Sequence, residues 1–405
     1  QFKFSFILLY TLKGQEMKED FVKILDQLSQ HEQKIREITE TIIANIVMIS
    51  EIPAPTFHEQ ERMNFLVNRF TACGMQNCST DEVGNALGIL PGRSGERNIL
   101  VVAHMDTVFD ESVDHTVTVQ QEKIIGPGVG DNGTGVAIVA ALPDILEHLG
   151  IQLESDLVLM GSAQSLGRGN IEGLRFFLNH TDIPIAAGLC VEGVEIGRLS
   201  YASIGMMRCE ITINIPEEYD WTRFGASGAL VIMNKVMNRI LGLPVPRQPQ
   251  TSILIGAAHG GTSFNTIATS AKIQFEIRSE SEEMVVQIAK SIQNITEEIA
   301  AVTNAEVKFH ILAQRKPGGI QFSHPLVEHA REILKTVGIK HRILPSTSEL
   351  AAFIAHGIPA ITVGLTTGEN MDKPNETVQI EPVFRGIAQI LGLLLTIDKG
   401  CCDES

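Results

Sequence analysis

Short apolar runs alternate with amphipathic stretches along most of the chain. Continuous apolar runs of strand length lie at 98–103, 156–160, 186–191 and 360–365. Apolar residues recur at helical spacing at 21–50, 59–73, 133–148, 325–337 and 386–395. Strands that are apolar on both faces and alternate with helices are typical of a mostly parallel sheet covered by helices on each side. The pattern therefore predicts an α/β fold.

The rhythm changes at Met207. From there the pattern predicts strands and helices in the order β-α-β-β-α-β, at 208–215, 226–243, 251–257, 271–278, 280–302 and 306–312. This order is typical of a ferredoxin-like α+β domain. The Pro-Gly-Gly segment that follows Lys316 reads as a linker. We therefore expect a domain at 207–315, inserted into a larger domain formed by 17–206 and 316–405.

The first 16 residues precede the predicted domains. The stretch 2–12 is apolar but too short to span a bilayer, and no small-residue cleavage signal follows it. We interpret residues 1–16 as an extra segment that precedes a start at Met17, with a degenerate signal peptide as the alternative.

Composition narrows the range of partners. Of the 405 residues, 44% are hydrophobic and 20% are charged, which is ordinary for a soluble globular protein. The formal net charge of −16 argues against nucleic acids and anionic membranes as partners. The six cysteines have the spacing of neither a zinc ribbon nor a redox pair, so we expect reduced thiols and a cytoplasmic location.

Candidate metal ligands follow the apolar run 98–103. His104 and Asp106 come where this predicted strand ends, and open α/β sheets place their sites at that edge. A neutral imidazole is a common zinc ligand, and Asp131, in the Gly-rich segment 128–135, could bridge a pair of metals. The pattern indicates a metal site.

Six segments, in order and at matching spacing, resemble the co-catalytic zinc peptidases and deacylases that include aminoacylase, acetylornithine deacetylase, succinyl-diaminopimelate desuccinylase and tripeptidase. The matching segments are 52–56, 103–108, 126–133, 191–193, 260–267 and 357–360. The resemblance implies zinc-dependent hydrolysis of an amide bond in a short peptide or an N-acyl amino acid. It also implies a homodimer formed through the inserted domain.

The resemblance also assigns roles to single residues. His104 and Glu192 would hold the first zinc, Asp131 would bridge, and Asp106 would orient His104. Asp372 stands where the family has the last histidine ligand of the second zinc.

Besides Asp372, three further positions depart from the family pattern. Ser165 and Leu166 stand where the family has a general-base Glu followed by a Glu ligand, and Tyr219 replaces the His that stabilises the oxyanion. No Asp or Glu occurs between Leu157 and Ile171. Loss of a general base costs about 10²–10⁴ in rate, so we expect impaired catalysis. We also expect one zinc rather than two.

Two further residues match substrate-contacting positions of the family, Asn265 and Arg278. Arg278 could clamp a substrate carboxylate with its planar guanidinium, or form a salt bridge at a strand end. Three functions stay open: a catalytically degenerate member, an active hydrolase with a rewired one-metal site that uses Asp372 or Glu349, and a non-catalytic binder of peptides or acylated amino acids.

Overall fold

The computed structural model describes residues 2–216 and 227–403, with side chains from Met17 onward. Two compact units are present. One is formed by the chain up to Ala202 together with the chain from Gly319 onward, and the other is Ser203–Gly318. All six cysteines are free thiols.

Ten α-helices occur in the described part of the chain. They are α1 (Phe2–Ile35), α2 (Thr39–Ser50), α3 (Gln60–Ala72), α4 (Thr134–Leu149), α5 (Glu172–His180), α6 (Ala229–Leu241), α7 (Glu282–Val302), α8 (Pro325–Thr336), α9 (Leu350–Ala355) and α10 (Glu381–Asp398). A 3₁₀ turn at Arg36–Ile38 divides the predicted helix 21–50 into two. The last helix begins at Glu381, earlier than predicted, because Pro382 suits the first turn of a helix. None of the described helices is long and apolar enough to cross a membrane.

The strands of the described chain follow the same numbering. They are β1 (Gln76–Thr80), β2 (Ala86–Leu90), β3 (Asn98–His104), β4 (Thr118–Val119), β5 (Lys123–Ile125), β6 (Asp156–Ser162), β7 (Ile185–Glu192), β8 (Arg198–Ser200), β9 (Ala202–Ser203), β10 (Gly205–Asn214), β11 (Thr251–Gly260), β12 (Ser270–Ser279), β13 (Glu306–Arg315), β14 (Gly318–Gly319), β15 (Arg342–Ile343), β16 (Ala360–Gly364), β17 (Gly368–Glu369) and β18 (Thr377–Gln379).

The larger unit is built on an eight-stranded sheet with the order β1-β2-β6-β3-β7-β16-β8-β15. Its four central strands, β6, β3, β7 and β16, are parallel to one another. Every residue of β3 is buried, because hydrophobic clusters cover both faces of the sheet. The predicted α/β class with a mostly parallel sheet is confirmed, and the carboxyl ends of the central strands share one edge.

The smaller unit contains one four-stranded antiparallel sheet with the order β11-β12-β10-β13. The apolar faces of α6 and α7 pack on the sheet around buried residues such as Ile211, Ile273 and Ile292. The chain order and the strand order are those of a ferredoxin-like unit. The polar residues of β10, including Arg208 and Glu210, alternate with these core residues as a half-covered sheet requires.

Candidate metal centre

Three predicted ligands meet at the carboxyl edge of the large sheet. His104 ends β3 and Glu192 ends β7, and these strands are parallel neighbours. Asp131 comes from the turn Val129–Gly133 that leads into α4. One ligand atom from each residue lies within 4.8 Å of the other two. The Nε2 atom of His104 is 2.9 Å from Oδ1 of Asp131 and 3.8 Å from Oε2 of Glu192.

Asp106 orients the His104 ring from its other side. Nδ1 of His104 lies 3.1 Å from the main-chain oxygen of Asp106 and 3.4 Å from its Oδ1. The Asp106 side chain is fully buried, and its Oδ2 accepts hydrogen bonds from the Thr56 hydroxyl and from the main-chain N–H of Leu166, each at 2.8 Å. Since Nδ1 faces Asp106, Nε2 is directed at Asp131 and Glu192, as a metal-ligating histidine requires.

The carboxylates around His104 favour a positive charge at this position. Burial alone would lower the pKa of His104, but its hydrogen bonds to Asp106 and Asp131 outweigh burial and raise that pKa well above its usual value. Burial raises the pKa of Glu192 to about 7. One imidazole and two carboxylates are a donor set that suits zinc and leaves an open fourth position. The side chains present therefore fit a divalent metal.

Asn132 fixes the turn that carries Asp131. Its Nδ2 donates to the main-chain oxygen of Val191 at 2.8 Å, and its Oδ1 accepts from the N–H of Gly193 at 2.7 Å. These two residues flank Glu192. The Asn132 side chain therefore ties the turn with Asp131 directly to the strand end with Glu192.

The loop after β6 brings Ser165 to a carboxylate from elsewhere in the chain. The Ser165 hydroxyl is buried and donates to Oε1 of Glu349, and the Ser162 hydroxyl lies 3.4 Å from the same oxygen. Glu349 is itself buried, and its charge raises the pKa of His104. The next residue back, Ser348, donates its hydroxyl to Oε1 of Glu192 at 3.2 Å.

Main-chain contacts hold this loop in place. The N–H of Gln164 donates to Oε1 of Glu59 at 2.8 Å, and Leu166 donates to Asp106 as described. Gln164 and Ile171 both have left-handed backbones, with φ of 53° and 54°. The Leu166 side chain is half-buried and apolar, so it offers no metal donor.

Asp372 lies outside the group of three ligands. Within the described residues, His104, Asp131 and Glu192 are the one such group. Asp372 is exposed, has a left-handed backbone with φ of 62°, and its N–H donates to Oε1 of Glu376 at 3.0 Å. Burial raises the pKa of Glu376 to about 7, although its backbone hydrogen bonds act in the opposite direction.

The remaining predicted site residues belong to the smaller unit. Asn265 is exposed, and its Oδ1 accepts a hydrogen bond from the Ser263 hydroxyl at 2.8 Å. Arg278 forms an ion pair with Glu276, which also pairs with Arg208. Tyr219 lies outside the described residues.

Several residues that support the site were not predicted. Arg62 is fully buried and donates to the main-chain oxygens of Met105, at 2.7 Å, and Ile52. Thr56 lies in a segment that matches the family, which was a usable signal. Arg62 and Glu376 gave no local signal, because their partners are main-chain atoms, including those of Met105 for Arg62 and of Gly130 and Asp131 for Glu376, which are distant in the sequence.

Comparison with known proteins agrees with this geometry. The model of peptidase family M20/M25/M40 matches residues 100–396. The chain belongs to this family. The matched region contains all three ligands of the candidate metal centre.

Individual relatives are distant. Carboxypeptidase G2 of Pseudomonas sp. (strain RS-16) is 23% identical over 355 residues, which is 84% of this chain and 82% of the relative. The di-peptidase Dug1p of Saccharomyces cerevisiae has a similar structure, with a TM-score of 0.74, 13% identity and coverage of 92% of this chain and 98% of Dug1p. The YXEP protein of Bacillus subtilis, described as a dinuclear metal-binding peptidase, has a TM-score of 0.63, 15% identity and coverage of 89% and 99%.

Proposed function

We propose that this M20-family protein binds one divalent metal, zinc, on His104, Asp131 and Glu192, and hydrolyses amide bonds of short peptides or N-acyl amino acids only slowly. One observation carries the proposal. The three ligands converge, while the adjacent loop presents the Ser165 hydroxyl and the Leu166 side chain. Metal binding is thus supported and the usual proton carrier is missing.

The residues of the site have distinct roles in the proposed reaction. A metal held by the three ligands would polarise the scissile carbonyl and activate a water molecule. Asp106 keeps the His104 ring oriented, and Ser348 holds one oxygen of Glu192. A serine hydroxyl is too weak a base at neutral pH to replace a glutamate, so proton transfer to the leaving amine would limit the rate.

A zinc count tests the metal. The purified 405-residue chain is dialysed against zinc and a weak chelator, and bound metal is measured by atomic absorption. We expect one equivalent in the native protein and none in His104→Ala. The matched control, His148→Ala, removes an exposed histidine outside the site. This variant should still bind one equivalent of zinc. Two tightly bound equivalents in the native protein would contradict the one-metal site.

An assay of the zinc-loaded protein on mixed N-acyl amino acids and dipeptides tests the activity. We expect turnover about 10²–10⁴-fold below that of ordinary hydrolases, because the general base is replaced. Turnover at ordinary enzyme rates would reject impairment. The non-catalytic binder would give no turnover and would retain substrate on equilibrium dialysis.

The contact between Ser165 and Glu349 favours a second candidate, an active hydrolase that uses Glu349 as its carboxylate. Glu349 is close enough to raise the pKa of His104, and its carboxylate accepts the Ser165 hydroxyl. In this case Glu349→Gln would abolish turnover, and Ser165→Ala would reduce it. If Asp372→Ala abolished turnover while Ser165→Ala left it intact, Asp372 would be the replacement instead.

We also propose a homodimer formed through the smaller unit, as the resemblance to the zinc peptidases implies. The outer face of α6 supports this, because Leu230, Val231 and Leu241 are exposed there. Light scattering should give twice the mass of one chain at micromolar concentration. Replacing Leu241 with Glu should shift the mass towards one chain, and a native mass of one chain would reject the dimer.

A further inference from the structure

Glu376 lies between the turn that carries Asp131 and the segment that carries Asp372, and its side chain is fully buried. Its Oε2 accepts hydrogen bonds from the main-chain N–H groups of Gly130, at 3.0 Å, and Asp131, at 3.3 Å. Its Oε1 accepts the N–H of Asp372 at 3.0 Å. One carboxylate thus satisfies three main-chain donors.

The three donors come from two segments that are distant in the sequence. Gly130 and Asp131 belong to the turn before α4, and Asp372 follows β17. The segments are also packed together, because a Cβ atom on Gly130 would lie 2.7 Å from Cε of Met371. The main-chain oxygen of Glu376 accepts the N–H of Gly126 at 3.0 Å, which adds a further tie to the first segment.

Asp131 needs an external hydrogen-bond acceptor. Its backbone, with φ of −117° and ψ of 94°, is not helical, so it has no helical hydrogen-bond partner. A buried N–H without an acceptor is costly, and the Glu376 carboxylate supplies the acceptor. The direction of the Asp131 carboxylate towards Nε2 of His104 depends on this backbone conformation.

We propose that Glu376 is a positioning residue of the metal centre, which sets the Asp131 backbone and the Asp372 backbone together without touching the metal. This inference rests on the metal site of the proposed function. It predicts that metal affinity depends on a residue with no metal donor role, and that the two segments loosen together when its carboxylate is lost.

Variants of one residue separate this role from packing. Glu376→Gln keeps the size but turns an NH₂ group towards main-chain donors, so it loses at least one hydrogen bond. Glu376→Asp keeps the charge on a shorter side chain. The matched control is Glu369→Gln, the same substitution at an exposed position nearby.

Zinc affinity is measured on the metal-depleted full chain by competition with a chelating dye at pH 8, above the pKa of about 7 of Glu376. Residues that support metal ligands typically contribute 10–100-fold to affinity. We expect a loss of about tenfold or more in Glu376→Gln, a smaller loss in Glu376→Asp and no change in Glu369→Gln. Native affinity in either folded Glu376 variant would overturn the inference.

Hydrogen exchange of the same metal-free proteins, measured by mass spectrometry, tests whether Glu376 couples the two segments independently of metal binding. Exchange should rise together in 128–133 and 368–372 of the Glu376 variants and stay native in Glu369→Gln. If native protein binds no zinc, the proposed function fails, while exchange still decides whether Glu376 couples the segments. Unchanged exchange, or a rise in one segment alone, would overturn the coupling.

Discussion

The Ser165 hydroxyl donates a hydrogen bond to Oε1 of Glu349, and both side chains are buried. Under the proposed impairment, this contact affects which substitutions would raise turnover. Placing glutamates at 165 and 166 follows the family pattern, but a carboxylate at 165 would be buried beside Glu349. Two buried carboxyl groups in contact cannot both ionise freely, because their negative charges repel, so the pKa of one of them rises strongly.

We therefore expect Ser165→Glu with Leu166→Glu to raise turnover little, and to raise it about 10²-fold or more once Glu349→Gln is added. The measurement is turnover of the zinc-loaded variants on one N-acyl amino acid. Glu349→Gln alone serves as the control. Full recovery in the double variant, without a change at 349, would contradict this prediction.

Arg62 should be a main contributor to the stability of the larger unit. It donates to the main-chain oxygens of Ile52 and Met105, and its charge faces Glu59 and Asp106. Arg62→Met keeps much of the volume but leaves these buried groups without a partner, so we expect a loss of about 3–5 kcal/mol in the free energy of unfolding.

Urea unfolding of the metal-free chain measures this loss. Arg62→Lys keeps the charge with fewer donors and should lose less. Arg69→Met, at a half-exposed arginine of the same helix, is the matched control and should lose about 1 kcal/mol or less. Equal stability of Arg62→Met and Arg69→Met would show that the buried contacts contribute little.

Phe57 has a left-handed backbone, with φ of 77°, and its side chain is 53% exposed. A Cβ atom is unfavourable in this conformation, so glycine relieves strain there. We expect Phe57→Gly to be more stable than Phe57→Ala by about 1 kcal/mol, since both variants lose the ring and only one loses Cβ. Chemical denaturation measures the difference, and a more stable alanine variant would be inconsistent with strain.

Acid should destabilise the protein through His329. Burial lowers the pKa of His329 below its usual 6.5, and its ring lies 4.1 Å from that of Phe21. Below pH 6.5 His329 is protonated in the unfolded chain but stays neutral in the folded protein. The free energy of unfolding therefore decreases as the pH is lowered below 6.5, until the pH reaches the lower pKa of the folded protein.

This single group contributes at most about 1.4 kcal/mol per pH unit in that window. His329→Phe keeps an aromatic ring and cannot titrate, so its stability should fall less than that of the native protein between pH 7 and 5. Thermal unfolding across this range provides the comparison. Parallel curves for the two proteins would exclude a contribution from His329.

The sequence predicted the sheet, and proposed His104 and Asp131 as candidate ligands, because both predictions depend on local patterns. The apolar run before His104 marks a buried strand, and the end of such a strand marks the edge of the sheet. Glu192 was assigned only through the resemblance of segment 191–193 to the family, and the structure places it at the end of β7. Ends of neighbouring parallel strands then had to lie close together.

The sequence could not predict contacts that depend on the tertiary arrangement. Glu349 is separated from Ser165 by 184 positions, and Glu376 from Asp131 by 245. Neither glutamate follows an apolar run that would mark it as part of a site. A carboxylate that binds main-chain amides leaves no pattern of its own, since any residue supplies the N–H.

The loop after β6 has a consequence for how this protein can change over time. Its anchors are the main-chain N–H groups of Gln164 and Leu166, bound to Glu59 and Asp106. Neither of these two contacts depends on the identity of the side chain at 165 or 166. The contacts that hold the loop are thus separate from the side chains that could take part in a reaction, so a few substitutions at 165 and 166 can add or remove reactive groups while these two main-chain contacts remain.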